Sequence, residues 1–111
     1  MKESLMFNAV DVTAGQTSTP LALGDLTTYS IHVEFSDNSI SGDLKLQVKN
    51  VDAGTWIDLP GSTQAVAAGV AHMWNTEGAG YELVRAVWTY TAGAGTMSAF
   101  GIIKENQIKG A

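Results

Sequence analysis

Two histidines, one arginine, three tryptophans and a few clustered carboxylates are the residues here with the means to do chemistry. His32 stands in an alternating stretch beside Glu34, and His72 stands two residues before Trp74. Histidine moves protons and ligates metals, but neither has further ligand types at ligating spacing. Both read as surface or edge histidines with a local hydrogen bond. There is no G-x-S-x-G elbow, and two such histidines define no Ser-His-Asp order. The glycine-rich turns lack the Lys-Ser/Thr that lets a P-loop grip phosphate, and no dinucleotide fingerprint has its strand-to-helix setting. Asp37, Asn38 and Asp43 in "DNSISGD" offer oxygen ligands without the spacing or terminal Glu of an EF-hand, so this stretch reads as a hairpin turn. The expectation is a protein that is not an enzyme, with no cofactor and no metal.

The aromatic residues are the other chemical resource. Trp56, Trp74, Trp88, Tyr81 and Tyr90 would form a sugar platform if their rings were exposed at strand ends, since an indole face stacks on the C–H face of a pyranose. In a small sandwich the opposing reading is stronger, because inward tryptophans supply the bulk of the core and each buries on the order of 150–250 Å². Phe35, Trp56, Trp74 and Trp88 are therefore taken as core aromatics. Trp56 is expected to plug the sandwich near a loop, because Asn50, Asp52 and Gly54 turn the chain before it and Pro60-Gly61 stops the strand after it. Arg85, the sole arginine, is a candidate interface residue or a cross-strand partner for an acid.

These residues must be positioned by strands, because the apolar period is two almost everywhere. Tyr29, Ile31, Val33 and Phe35 alternate with Ser30, His32, Glu34 and Ser36, and Leu44, Leu46 and Val48 alternate with Lys45, Gln47 and Lys49. Residues 37–42 would be the turn between those two strands. Residues 81–91 and 96–104 are two more, joined as a hairpin by "AGAG" at 92–95. The first of this pair is apolar on both faces, with Val84, Ala86 and Trp88 on one side and Leu83 and Val87 on the other, so it should be central. Residues 3–13 alternate loosely, 21–23 read as an edge piece, and 71–75 as a further strand. Seven or eight strands with turns every 8 to 12 residues predict one all-β domain over 1–111, an antiparallel sandwich of jelly-roll type.

Composition bounds the partners. The chain has 111 residues and no cysteine, so neither disulfides nor thiolate metal sites hold it. Eleven acids against six bases give a net charge of −5, without the Lys/Arg cluster that a phosphate backbone demands. Nucleic acid is not an expected partner. The first seven residues form no signal-peptide h-region, and no run approaches the roughly 20 apolar residues of a bilayer span, so a soluble protein without a membrane partner is expected. Only 15% of residues are charged, below the roughly 25% of average domains. Such a surface suits contact with proteins.

The segments "TTYSIHVEF", "GDLKLQVKNVDAGTWIDLPGS" and "HMWNTEGAGYELVRAVWTYTAGAGTM" resemble small β-sandwich structural and decoration proteins of tailed-phage virions. The resemblance covers residues 27–100 and departs from the pattern at Val51, Ala53, Glu82 and Leu83. The Asn-Asp-Gly-x-x-Trp element is similar also to discoidin-type sugar-binding sandwiches. The resemblance implies a structural virion protein, a capsid decoration or cement protein whose partners are the capsid lattice and other copies of itself. A carbohydrate-binding or adhesin module, with a glycan as ligand, is the alternative. "MKESLMFNAVDVTAGQTSTP" at 1–20 reads as an N-terminal arm plus edge strand, whose Leu5, Phe7 and Val10 dock on a neighbour. On that reading, deleting residues 1–14 removes docking and leaves the sandwich folded. Far-UV circular dichroism should show negligible helix; more than about a quarter, near the roughly 30–35% of an average domain, would contradict the fold class.

Overall fold

The computed structural model describes residues 2–24 and 26–108, which form ten strands in two antiparallel sheets; Met1, Asp25 and 109–111 lie outside the described residues. In chain order the strands are β1 (Lys2–Asp11), β2 (Gln16–Thr17), β3 (Leu21–Ala22), β4 (Leu26–Phe35), β5 (Ser41–Lys49), β6 (Ile57–Asp58), β7 (Gln64–Val66), β8 (His72–Thr76), β9 (Leu83–Ala92) and β10 (Thr96–Ile108). One sheet has the order β1-β10-β4-β8. The other runs β2-β9-β5-β6, with β3 also paired to β9 and β7 also paired to β5. We call them sheet A and sheet B.

Sheet B is in effect a four-strand sheet with two broken edges. β2 pairs with Val87 and Trp88 and β3 with Leu83 and Val84, both along β9. β6 and β7 share the far side of β5 in the same way. A proline lies in each break, Pro20 and Pro60, where a residue without an N–H does no damage. Two buried serines fill the gaps. The Ser18 hydroxyl accepts from Ala86 N at 2.9 Å and donates to Thr19 O, and the Ser62 hydroxyl accepts from Leu46 N at 3.0 Å and donates back to Leu46 O at 3.3 Å. Each hydroxyl bonds strand backbone where the broken edge offers no partner strand, which a buried peptide group requires.

The connections differ from the sequence reading at two points. Residues 37–42 and "AGAG" at 92–95 are not hairpin turns: β4 and β10 lie in sheet A, whereas β5 and β9 lie in sheet B. Both segments are arches from one layer to the other, and they pack on each other. Ser36 N donates to Thr96 O at 2.9 Å, and Thr96 N donates to the Ser36 hydroxyl at 2.8 Å. Gly93 and Gly95 have φ of 91° and 146°, and a side chain on Gly93 would collide with the Ser39 backbone. The glycines serve this close crossing of arches.

The core lies between the layers and centres on Trp88, which is 1% exposed. Its indole N–H donates to Val12 O at 2.8 Å, and its ring packs against Phe35 with centroids 5.4 Å apart. Trp74 is also buried, its indole N–H donating to Ser62 O at 2.8 Å. Phe35 is half-buried against the core. The central position expected for β9 is observed, between β5 on one side and β2 and β3 on the other.

The N-terminal segment is not an arm. β1 is the edge strand of sheet A, and it carries Met6 and Phe7 into the core, with Val12 following directly after it. Two register shifts break the alternation, one between Leu5 and Phe7 and one between Phe7 and Val10, where Ala9 has φ 48° and its N–H bonds the Ser98 hydroxyl. Phe7 is 2% exposed, so it is a core residue and not an interface residue. Val10 is half-buried against the core, leaving Leu5 as the one apolar candidate of the three that faces solvent. Deleting residues 1–14 is accordingly expected to unfold the protein, which the loss of near-native circular dichroism would report. Trp88→Ala should cost about 3–5 kcal/mol in a urea melt, as the loss of a large core aromatic does; a change under about 1 kcal/mol would contradict its central place.

Candidate functional site

Because side chains alternate across a strand, placing Val84, Ala86 and Trp88 inward obliges Leu83, Arg85 and Val87 to point outward from sheet B. The same rule on β10 sends Gly101 and Ile103 inward and Phe100 and Ile102 outward from sheet A. Each sheet thus presents an outer face, and the two differ in chemistry.

On sheet A, Leu5 pairs with Phe100, Phe100 with His32, and His32 with Met73. These four residues form one row across all four strands. Leu5, Phe100 and Met73 are 50%, 42% and 51% exposed. The His32 ring lies 6.3 Å from that of Phe100, tilted by 53°, and its Nε2 is 3.3 Å from Glu34 Oε1. Glu3, Ser4, Leu5, Phe100, Gly101 and Ile102 line a shallow groove of about 470 Å³ at the β1–β10 end of the row. An exposed row that is apolar at Leu5, Phe100 and Met73 and flanked by Glu3 and Glu34 has the make-up of a protein contact, largely apolar with a polar rim.

On sheet B the corresponding row is polar. Arg85 pairs with Gln47, and Gln47 with Asp58. Arg85 Nε and Nη2 both donate to Gln47 Oε1, at 2.9 and 2.7 Å, and Gln47 Nε2 donates to Asp58 Oδ1 at 2.9 Å. Lys45 Nζ closes on Asp58 Oδ2 at 3.0 Å. These hydrogen bonds, Gln47 first and Lys45 second, hold the Asp58 carboxyl below the usual carboxylate value. A lowered pKa favours the folded state above the ordinary carboxylate range and loses that effect only as pH falls through the lowered value, so the row persists at neutral and mildly acidic pH.

Trp56 belongs to this outer face and not to the core. Its ring is half-buried and has the Arg85 guanidinium carbon 4.2 Å and the Lys49 ammonium 4.7 Å from its centroid. The strand expected to carry it begins one residue later, at Ile57, where β6 pairs with Val48 and Gln47. Trp56 therefore precedes the ladder and turns onto the two cations, its negative π-face held by their charge. Among the described residues Arg85 is likewise not paired with an acid; its partner is the amide oxygen of Gln47. Of the other aromatics weighed as a platform, Tyr81 packs edge-on against Tyr29 with hydroxyls bonded, while Tyr90 bonds Gly93 O at 2.8 Å. Burial, then the bond to Tyr29, pushes the Tyr81 phenol well above its ordinary range.

Asp37 accepts from Ser39 N, as a turn-forming aspartate does, and no three His, Asp or Glu side chains converge among the described residues. The sheet A row was missed in the sequence because its members come from four strands, one residue each; the signal, if any, was Phe100 opposite a small Ala99 and Gly101. In urea melts Trp56→Ala should cost about 1–2 kcal/mol, the scale of two surface cation–π contacts. A loss equal to that of Trp88→Ala would return Trp56 to the core.

No protein-family model and no curated protein matches the chain. Among solved structures, the crystal structure of the SPBc2 prophage-derived protein YomS is similar at a TM-score of 0.65 and 13% identity, covering 93% of this chain and 92% of that one. A CBM4 structure overlaps 79% of this chain and 58% of that one at 16% identity and a TM-score of 0.44, too loose an overlap to carry shared architecture. The chain thus shares its two-sheet fold, nearly end to end, with a prophage-derived protein.

Proposed function

We propose that this chain is a structural protein of a phage or prophage particle, a decoration or cement protein that docks on a neighbouring virion protein through the outer face of sheet A. The observation that carries the reading is the row Leu5-Phe100-His32-Met73, in which three of the four strands of one sheet present an exposed apolar side chain and the fourth a histidine. Large apolar side chains in one contiguous row on an outer face are a cost that an isolated domain has no reason to bear, whereas burial against a partner returns about 25 cal/mol for each Å² of apolar surface covered. Glu3 and Glu34 beside the row favour a partner with an apolar patch rimmed by lysine or arginine. The shared fold with a prophage-derived protein supports the phage setting, in agreement with the virion resemblance of residues 27–100.

Docking is assigned to the face because β1 and both edges of sheet B are poorly suited to strand pairing and β8, the other edge of sheet A, is only five residues long. β1 carries a bulge, and Thr19 N donates to Met6 O at 3.2 Å along its side; the edges of sheet B are broken, with a proline in each gap. Bulges, short strands and prolines are the devices that stop strand-to-strand pairing. The reading includes no catalytic step and places the protein in the particle. Many copies on a symmetric lattice would let a modest contact hold by avidity.

Phe100→Glu should reduce binding to purified particles at least tenfold, because a charge placed in the centre of a desolvated contact removes most of its energy. The melting temperature should stay within a few degrees of the parent, since Phe100 points outward. Unchanged binding by a folded variant would contradict the assignment of the face.

A further inference from the structure

We propose that the outer face of sheet B is a binding site for an acidic saccharide, centred on Trp56 with Arg85 and Lys49. The site is on the opposite sheet from the docking row and does not depend on that reading. Four Lys and Arg side chains are described in this acidic chain, and three of them, Lys45, Lys49 and Arg85, lie on this one face. Lys45 is neutralised by Asp58. Arg85 and Lys49 have no carboxylate partner among the described residues: the first bonds the Gln47 amide, the second the Asp52 backbone carbonyl at 2.7 Å. Two charges of the minority sign are thereby left uncompensated, side by side against one ring.

The remaining groups define the ligand. The Trp56 indole N–H has no acceptor among the described residues, whereas those of Trp74 and Trp88 are bonded to backbone carbonyls. Arg85 uses Nε and Nη2 on Gln47, so Nη1 is free to donate, and its orientation is set by that two-point grip. The part of the Trp56 ring that the two cations leave exposed suits the C–H face of a pyranose, and the cations suit a carboxylate on that sugar. Asp58, in the same row and with its side chain 61% exposed, has lone pairs for sugar hydroxyls. The net charge of −5 does not prevent binding, because salt screens charges beyond about 8 Å at physiological ionic strength.

The test is an indole N–H titration of the full chain by ¹⁵N–¹H correlation spectra, assigned with Trp56→Phe. The probes are a galacturonate trisaccharide and sialyllactose, with a neutral galactose trisaccharide and hexaglutamate alongside. The Trp56 cross-peak should move saturably with at least one acidic saccharide while those of Trp74 and Trp88 stay. The affinity should fall at least tenfold in Arg85→Gln and should weaken as NaCl is raised from about 50 mM to about 500 mM. A stationary Trp56 cross-peak with both acidic saccharides would overturn the proposal. So would an equal response to the neutral trisaccharide, or a response to hexaglutamate alone. Since the parent protein supplies the decisive spectra, misfolding of a variant leaves the outcome readable.

Discussion

The indole of Trp88 is the interaction on which the rest of the structure depends. It rises from the middle of β9, occupies the space over Gly42 on β5, leans on Phe35 of the opposite sheet and donates its N–H to Val12 O beyond the end of β1. One side chain thereby joins both strands at the centre of sheet B to two segments associated with sheet A. Gly42 matters here because even a methyl group would overlap the ring and the Thr89 carbonyl. With Trp88 inward, period-two geometry leaves no freedom for its neighbours, and Arg85 and Val87 must face solvent. The polar row of sheet B is in this sense a consequence of how the core is filled.

The two outer faces answer different physical demands. Sheet A shows apolar side chains on three of its four strands in one register, with His32 on the fourth, and covering by another surface would take them out of water. Sheet B holds its polar groups in mutual hydrogen bonds that satisfy Gln47 and Asp58 and leave donors over on Arg85 and Trp56. Exposed ion pairs such as Lys45–Asp58 add little stability, so the significance of that row lies in orientation rather than in holding the sandwich together. Stability rests with the layers between, where buried serines at positions 18 and 62 let the broken edges exist without unpaired strand backbone.

Period two was legible in the sequence, and with it the all-β class, the central place of β9 and the burial of Trp74 and Trp88. The layer each strand joins was not legible, because alternation says which side chains point inward but not from which sheet. Hence residues 37–42 and 92–95 read as hairpins when they are arches. Phe7 was misread for a related reason: a register shift between Leu5 and Phe7 sends the first outward and the second inward although they stand two positions apart, and nothing in the composition of Leu5-Met6-Phe7 signals it. Trp56 was misplaced because a tryptophan beside a strand reads as core until the cations that hold it are known, and Lys49 and Arg85 are 36 positions apart. The sheet A row shares this character. Its four members come from strands that pair only in the folded state, and none is unusual alone.

The central claim is that the outer face of sheet A is the surface presented to a virion partner. Photo-crosslinking tests it most directly, with a benzophenone amino acid placed at Phe100 in one preparation and at Val87, outward on sheet B, in another. On assembled particles the account predicts a covalent adduct with a virion protein from position 100 and none from position 87. Adducts from position 87 alone, or from neither position in particles that carry the protein, would contradict it.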